Sequence, residues 1–254
     1  MKNFGKTRRD FDNDGYIIFN IDDDDLIDAV NLDIENHLKS GNFKTNSKIY
    51  SYNDSPRVVE SHKFSENCYN LAKHPSVIET LSNIYTSEPL SFSTINFIES
   101  TQQPLHSDYV HFGTVPAFLL AGSWIALEDI DPDSGPLQVV PGSHKFDAFE
   151  FSMVSPNLPT SITEVKRLYS LYEEWVKEYL EFNSIQAITP EMKKGDCIIW
   201  AANLLHGSPE RKNVTLQRKS QVTHWSFSDV QMHYNPNFSI PSQKKFTERK
   251  VEFF

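Results

Sequence analysis

At 254 residues, 39% of them hydrophobic and 13% aromatic, the chain can bury one sizeable core and reads as a single domain. A formal net charge of −10 argues against the phosphate attraction behind nucleic-acid binding and against anionic membrane surfaces, so the expected partner is a small molecule. Cys68 and Cys197 are far apart and in no metal-ligand spacing, which disfavours a disulfide framework or a thiolate zinc site.

The N-terminal MKNFGKTRRDFDNDGY is followed by no apolar leader. The longest apolar run, Phe118 to Leu127, is too short to span a bilayer. A reducing cytoplasm is the expected location, and a monomer or small homo-oligomer the expected state.

In chain order, the first helix is predicted at 22–40, where Leu26, Ala29, Val30, Ile34 and Leu38 recur at helical spacing behind an acidic first turn. A second falls at 74–86, with Val77, Ile78, Leu81 and Ile84 behind Pro75. Short β-rich runs follow at 90–98, 118–130 and 136–143. A third helix at 161–182 aligns Val165, Leu168, Leu171, Tyr172, Trp175 and Tyr179, a stripe read as core. Two more strands are read at 195–203 and 221–228, and turns such as DPDSGP and KKGD separate the runs. Short strands without βα periodicity predict an antiparallel sandwich or jelly roll with helices outside it. The expected fold is mainly β with flanking helices around a double-stranded β-helix (jelly-roll, cupin-like) core. Its expected parts are a helical portion over 1–88 and the core over 89–230, with an insert at 147–185.

The stretch PLHSDYVHF, residues 104–112, sets His106 and Asp108 two positions apart. On a strand both point to one face while Ser107 points away, so the pair can grip one small object. Further on, GDCIIWAANLLHGSPE puts His206 in a turn just after an apolar strand. Two histidines and one carboxylate on one side of a ferrous ion leave three positions open, as in non-haem iron oxygenases; zinc also accepts these donors. In isolation the pair reads as a structural hydrogen bond and His206 as a loop histidine. Their joint occurrence in this order favours a metal site.

The ordered series FDNDGYIIF, HSD, SWIALEDIDPDSGPLQVVPGSHK, KKGDCIIWAANLLHGSPERKN and LQRKSQVTHWSF resembles the phytanoyl-CoA dioxygenase-like family of Fe(II)/2-oxoglutarate oxygenases from Phe11 to Phe227. The resemblance implies His106, Asp108 and His206 as iron ligands, with 2-oxoglutarate as cosubstrate and O2 as oxidant. It implies Arg218 as the anchor of the distal carboxylate of 2-oxoglutarate, with Arg211 and Lys219 as rivals, and Ser208 and Trp124 as cosubstrate-pocket residues. Ser107 departs from the glutamine often found there. The carboxylate of Asp108 favours hydroxylation or a related oxidation over halogenation. The expected substrate is a free metabolite rather than a coenzyme A thioester; a lid is expected from 47–64 and 161–182, with Tyr50, Tyr52, Arg57, Tyr109 and His111 as contacts. A cupin-like metalloenzyme without 2-oxoglutarate and a non-catalytic binding jelly roll are the alternatives. His144, in PGSH, is expected to cap backbone groups.

Overall fold

A computed structural model describes residues 4–41, 57–147, 149, 161–234, 247–248 and 251–254. Within them the chain runs α1 (Phe4–Asp14), β1 (Tyr16–Asn20), α2 (Asp24–Lys39), β2 (Arg57–Val59), α3 (Glu66–Ala72), α4 (Pro75–Tyr85) and β3 (Pro89–Phe97). It continues through β4 (Phe112–Val115), β5 (Ala121–Ala126), β6 (Gln138–Val139), α5 (Ile162–Phe182), β7 (Asp196–Ala201) and β8 (His206–Gly207), then β9 (Ser220–Phe227), β10 (Gln231–Tyr234) and β11 (Thr247–Glu248).

The three expected helices form where the apolar spacing places them, and their caps show why they start there. The Asp23 carboxylate accepts from the Leu26 N–H ahead of α2, Pro75 opens α4, and the Ser161 hydroxyl accepts from the Glu164 N–H ahead of α5. Two expected strands contract. The run 118–130 becomes Ala121–Ala126, since Phe118 sits at φ 65°, outside strand geometry. The run 136–143 keeps only Gln138–Val139, because Gly142 at φ 78° leads into a 3₁₀ turn at Ser143–Lys145.

The main sheet has the order β1-β7-β5-β9-β3-β2, with every pair antiparallel. Residues 1–88 therefore contribute both edge strands as well as helices. Strand alternation gives the sheet two buried faces. Cys197, Ile199 and Ala201 of β7 pack with Ile27, Val30 and Ile34 of α2 and Val77 and Leu81 of α4, while Ile198 and Trp200 turn to the opposite side. There, Val139 of the two-stranded β6-β8 sheet and Leu137 just before it close over Trp124, Trp200 and Val222. Met232 of the β11-β10-β4 sheet joins Phe92 and Leu120. This closure of antiparallel sheets around a lined interior is the jelly-roll core. Helix α5 seats Leu168, Tyr169, Tyr172 and Val176 beside Val140 and Leu205 at one end of it.

Candidate active site

His106 and His206 lie opposite each other in an antiparallel bridge, each N–H donating to the other's carbonyl at 2.9 Å. Asp108 does not continue that strand. It opens a 3₁₀ turn, Asp108–Val110, in which the Tyr109 N–H donates to the Ser107 hydroxyl, while that hydroxyl donates to the Ala202 carbonyl. The expected alternation still holds in effect: His106 and Asp108 line one cavity and Ser107 lines a separate void of about 40 Å³. The donor atoms of His106, Asp108 and His206 all fall within 4.8 Å of one another, and all three residues are buried.

The PGSH turn aims the last of these donors. The Ser143 hydroxyl accepts from the Leu205 N–H at 2.8 Å and the Val140 N–H donates to the Leu205 carbonyl, which fixes the backbone entering His206. The ring of His144 meets the Asp12 carbonyl at 3.2 Å, as expected of a residue serving the backbone.

Each histidine presents Nε2 to the centre because Nδ1 is occupied. Nδ1 of His106 lies 2.8 Å from the Pro104 carbonyl and Nδ1 of His206 3.0 Å from that of Leu204, contacts that assign the proton to Nδ1 and the lone pair to Nε2. Burial, reinforced by the neighbouring His206, pushes the His106 pKa well below the ordinary imidazole range, so the ring is a neutral donor. For Asp108 burial alone raises the pKa, but His206, His224, His106 and the Trp200 hydrogen bond outweigh it and hold the group at about 2. Two imidazoles and one carboxylate suit a divalent ion with open positions.

Around this centre lies a cavity of about 590 Å³. Trp124, Ser208 and Arg218, the expected cosubstrate residues, all line it. Arg218 is 3% exposed, and among the described residues its guanidinium makes no hydrogen bond or ion pair; the rings of Phe97 and Trp124 lie 5.9 and 5.8 Å from it. Burial, with Arg57 and Arg211 nearby, lowers its pKa to about 10, which leaves it charged at neutral pH. A buried, uncompensated cation beside a cavity is poised for an anion. The rivals are engaged elsewhere. Arg211 binds Glu99 at 2.8 Å and the carbonyls of Val214 and Leu216, and Lys219 binds Glu35 at 3.0 Å. The indole N–H of Trp124 is likewise buried without a partner among the described residues, a second orphan donor in the same wall.

Several site residues carried no individual signal in the sequence. Trp200 donates its indole N–H to Asp108 Oδ2 at 2.8 Å. His224 places Nε2 3.9 Å from that same oxygen. The Tyr172 hydroxyl, on a stripe read as core, accepts the Ser107 N–H at 2.8 Å, and Gln103 donates to the Tyr169 hydroxyl at 3.2 Å. Of the expected lid contacts, Arg57 and His111 line the cavity, whereas Tyr109 packs on Phe118 beside the smaller void. Tyr50 and Tyr52 lie outside the described residues. No described helix is long and apolar enough to cross a membrane.

An antiparallel jelly roll that converges two histidines and a carboxylate on one buried point defines the class: a cupin-like fold with a metal centre. The chain belongs to the phytanoyl-CoA dioxygenase (PhyH) family, whose model matches residues 11–220. It is 24% identical over 196 residues to the peroxisomal phytanoyl-CoA dioxygenase of Bos taurus, covering 77% of this chain and 50% of that protein. To the Rattus norvegicus enzyme it is 26% identical over 198 residues, covering 75% and 49%. The chain thus spans about half the length of these curated relatives. Among solved structures, the epimerase SnoN in complex with Fe3+, alpha ketoglutarate and nogalamycin RO superposes with a TM-score of 0.68 at 16% identity, over 99% of this chain and 95% of that one. EctD from S. alaskensis with 2-oxoglutarate and 5-hydroxyectoine gives 0.65 at 19% identity, over 97% and 84%. At these identities the likeness is one of fold.

Proposed function

We propose that the chain is an Fe(II)- and 2-oxoglutarate-dependent dioxygenase that hydroxylates, or otherwise oxidises, an unactivated C–H bond of a small metabolite. The observation that carries this reading is the pairing, across one cavity, of the His106–Asp108–His206 donor set with the buried guanidinium of Arg218, which has no ion-pair partner among the described residues. Iron bound there supplies the oxidising chemistry, in which 2-oxoglutarate and O2 yield succinate and CO2 while one oxygen atom enters the substrate.

The chain's own part is geometry and exclusion. His106, Asp108 and His206 hold the ion from one side. Arg218, with its planar fork, and the Ser208 hydroxyl take the distal carboxylate of 2-oxoglutarate, and Trp124 supplies the adjoining indole N–H. Ile95, Phe97 and Val222 line that part of the cavity with apolar surface, which strengthens each of these contacts. A carboxylate at position 108 occupies the place that related halogenases leave for halide, and this supports oxygen insertion. The same fold serves an epimerase and a carbocyclase, SnoN and SnoK, so the outcome of C–H oxidation is the finer part of the proposal.

We take the substrate to be a free metabolite. Arg57 and Arg218 both sit over Phe97, at 5.6 and 5.9 Å, and no other lysine or arginine is among the described lining residues to receive coenzyme A phosphates.

Anaerobic addition of Fe(II) and 2-oxoglutarate to the metal-free protein should give a weak visible metal-to-ligand charge-transfer band, diminished in Asp108→Ala and in Arg218→Ala. Metal binding without any 2-oxoglutarate binding by calorimetry selects the cupin-like alternative instead. Substrate-dependent succinate release excludes a non-catalytic binding module, and a metabolite screen scored that way identifies the substrate.

A further inference from the structure

The two oxygens of Asp108 face different partners. Oδ1 lies 3.7 Å from His206 Nε2, on the side of the metal donors. Oδ2 accepts the Trp200 indole N–H at 2.8 Å and has His224 Nε2 at 3.9 Å. These two neighbours of Oδ2 belong to one row across the main sheet: Trp200 on β7, Gly122 on β5 and His224 on β9 are successive cross-strand partners. Paired residues share a face, so both side chains reach inward over the glycine between them.

Gly122 is what makes that reach possible. A Cβ there would stand 2.4 to 2.6 Å from Cε2, Cζ2 and Nε1 of Trp200, so even alanine would collide with the edge of the indole that carries the donor. The glycine is needed for space, since its φ is not in the left-handed region. On its other side the indole leans on the His206 ring, with centroids 4.5 Å apart, and Trp200 is 2% exposed. The donor is therefore held from both sides.

We infer that Trp200 is a positioning residue which, through Gly122, restricts Asp108 to binding the metal by Oδ1 alone. The inference rests on the oxygenase reading above and adds what keeps its last coordination position open. A carboxylate free to turn can chelate an ion with both oxygens. In a six-coordinate centre, two histidines, a chelating carboxylate and a bidentate 2-oxo acid fill every position. With Oδ2 retained by the indole N–H, one position stays available for a diatomic ligand. Hydrogen-bond partners of metal ligands orient them in this way, and losing one typically costs about 10- to 100-fold in affinity or activity.

Trp200→Phe keeps an aromatic body in the row and deletes the donor. The test is nitric oxide binding to the anaerobic Fe(II)–2-oxoglutarate protein, followed by the electron paramagnetic resonance of the nitrosyl adduct. Trp200→Phe should keep the charge-transfer band, yet need about 10- to 100-fold more nitric oxide than the unmodified chain. Gly122→Ala should behave in the same direction. Unaltered nitric oxide affinity in a folded Trp200→Phe with its band intact overturns the inference.

A readout on the unmodified chain covers the case in which the variants do not fold. With 15N-labelled tryptophan and Zn(II) as a diamagnetic stand-in, the Trp200 indole proton should resonate downfield and exchange slowly. A free-indole position with fast exchange overturns the inference. Because this measurement uses neither iron nor 2-oxoglutarate, its failure is distinguishable from failure of the oxygenase reading, whose own sign is absence of the charge-transfer band in the unmodified chain.

Discussion

His106 and His206, a hundred residues apart in the chain, exchange both of their backbone hydrogen bonds at 2.9 Å, so the first and last metal donors are direct neighbours in one ladder. The donor geometry is therefore a property of backbone pairing as well as of side chains. Gly207, next to His206, allows that pairing: a Cβ there would meet Gln103 O at 2.7 Å, Leu105 N at 2.9 Å and the Pro104 carbonyl carbon at 2.9 Å. All three are main-chain atoms, so no flexible tip can yield. Gly207→Ala should cost about 1–3 kcal/mol in urea unfolding. It should also weaken Zn(II) or Fe(II) binding about tenfold or more in a metal titration. Wild-type metal affinity in this variant would show that the ladder does not set the donor geometry.

Arg218 and Arg211 separate by what they already hold. Removing Arg218 deletes a charged donor facing the cavity, and charge-assisted hydrogen bonds contribute about 1.5–3 kcal/mol each. Arg218→Ala should raise the 2-oxoglutarate Kd by roughly 10- to 100-fold while Fe(II) binding persists. Arg211→Ala strips partners from Glu99 and from the Val214 and Leu216 carbonyls. It should lower the melting temperature and leave the cosubstrate Kd unchanged. Calorimetry with both variants checks the pair, and the reverse pattern transfers the anchoring role to Arg211.

The parts that were legible in the sequence were those with a local cause. The α2, α4 and α5 stripes and their starts are visible in the spacing of apolar residues and in Asp23, Pro75 and Ser161. Strand β1 was not, because only Ile17 of its five residues is buried and its stability comes from pairing with β7, some 180 positions later. Helix α1, FGKTRRDFDND, buries Phe11 and offers almost no stripe. The site divides in the same way. The HSD and HGS motifs are local, so their residues could be named. The roles of Trp200, His224 and Tyr172 depend on which strand or helix lies beside Asp108, which spacing along one chain does not encode. Trp124 and Trp200 both sit buried in strands, yet the Trp200 indole N–H holds a ligand carboxylate and that of Trp124, in the cavity wall, has no partner among the described residues.

Acid should destabilise the metal-free protein through His106. Its folded pKa is pushed well below the usual value by burial and by His206. As pH falls below about 6.5 the unfolded chain takes up a proton that the folded chain refuses, so stability drops with decreasing pH. Asp108, held at about 2 against an ordinary 3.8, contributes stability above its unfolded value that is lost as pH falls toward 2. Between pH ~6.5 and ~5.5 the histidine should cost about 1 kcal/mol. Urea midpoints at these two values check it, and His106→Gln should flatten the difference.

Helix α5 meets the residue between two metal donors through the Tyr172 hydroxyl, and that contact is open to a single-atom deletion. The Tyr172 O–H oxygen accepts the N–H of Ser107, the residue between two metal donors, at 2.8 Å, and both residues are buried. Tyr172→Phe preserves the ring contacts with Phe149 and Tyr169 and leaves that amide without its acceptor. A buried N–H deprived of its partner costs about 1–3 kcal/mol. The loop can relieve this only by shifting the backbone that aims His106 and Asp108. Tyr172→Phe should therefore lower the urea midpoint and speed hydrogen exchange at the Ser107 amide, and it should also weaken Zn(II) binding measurably. A loss of stability with Zn(II) affinity and Ser107 exchange both intact would assign Tyr172 to packing alone and uncouple the insert helix from the metal centre.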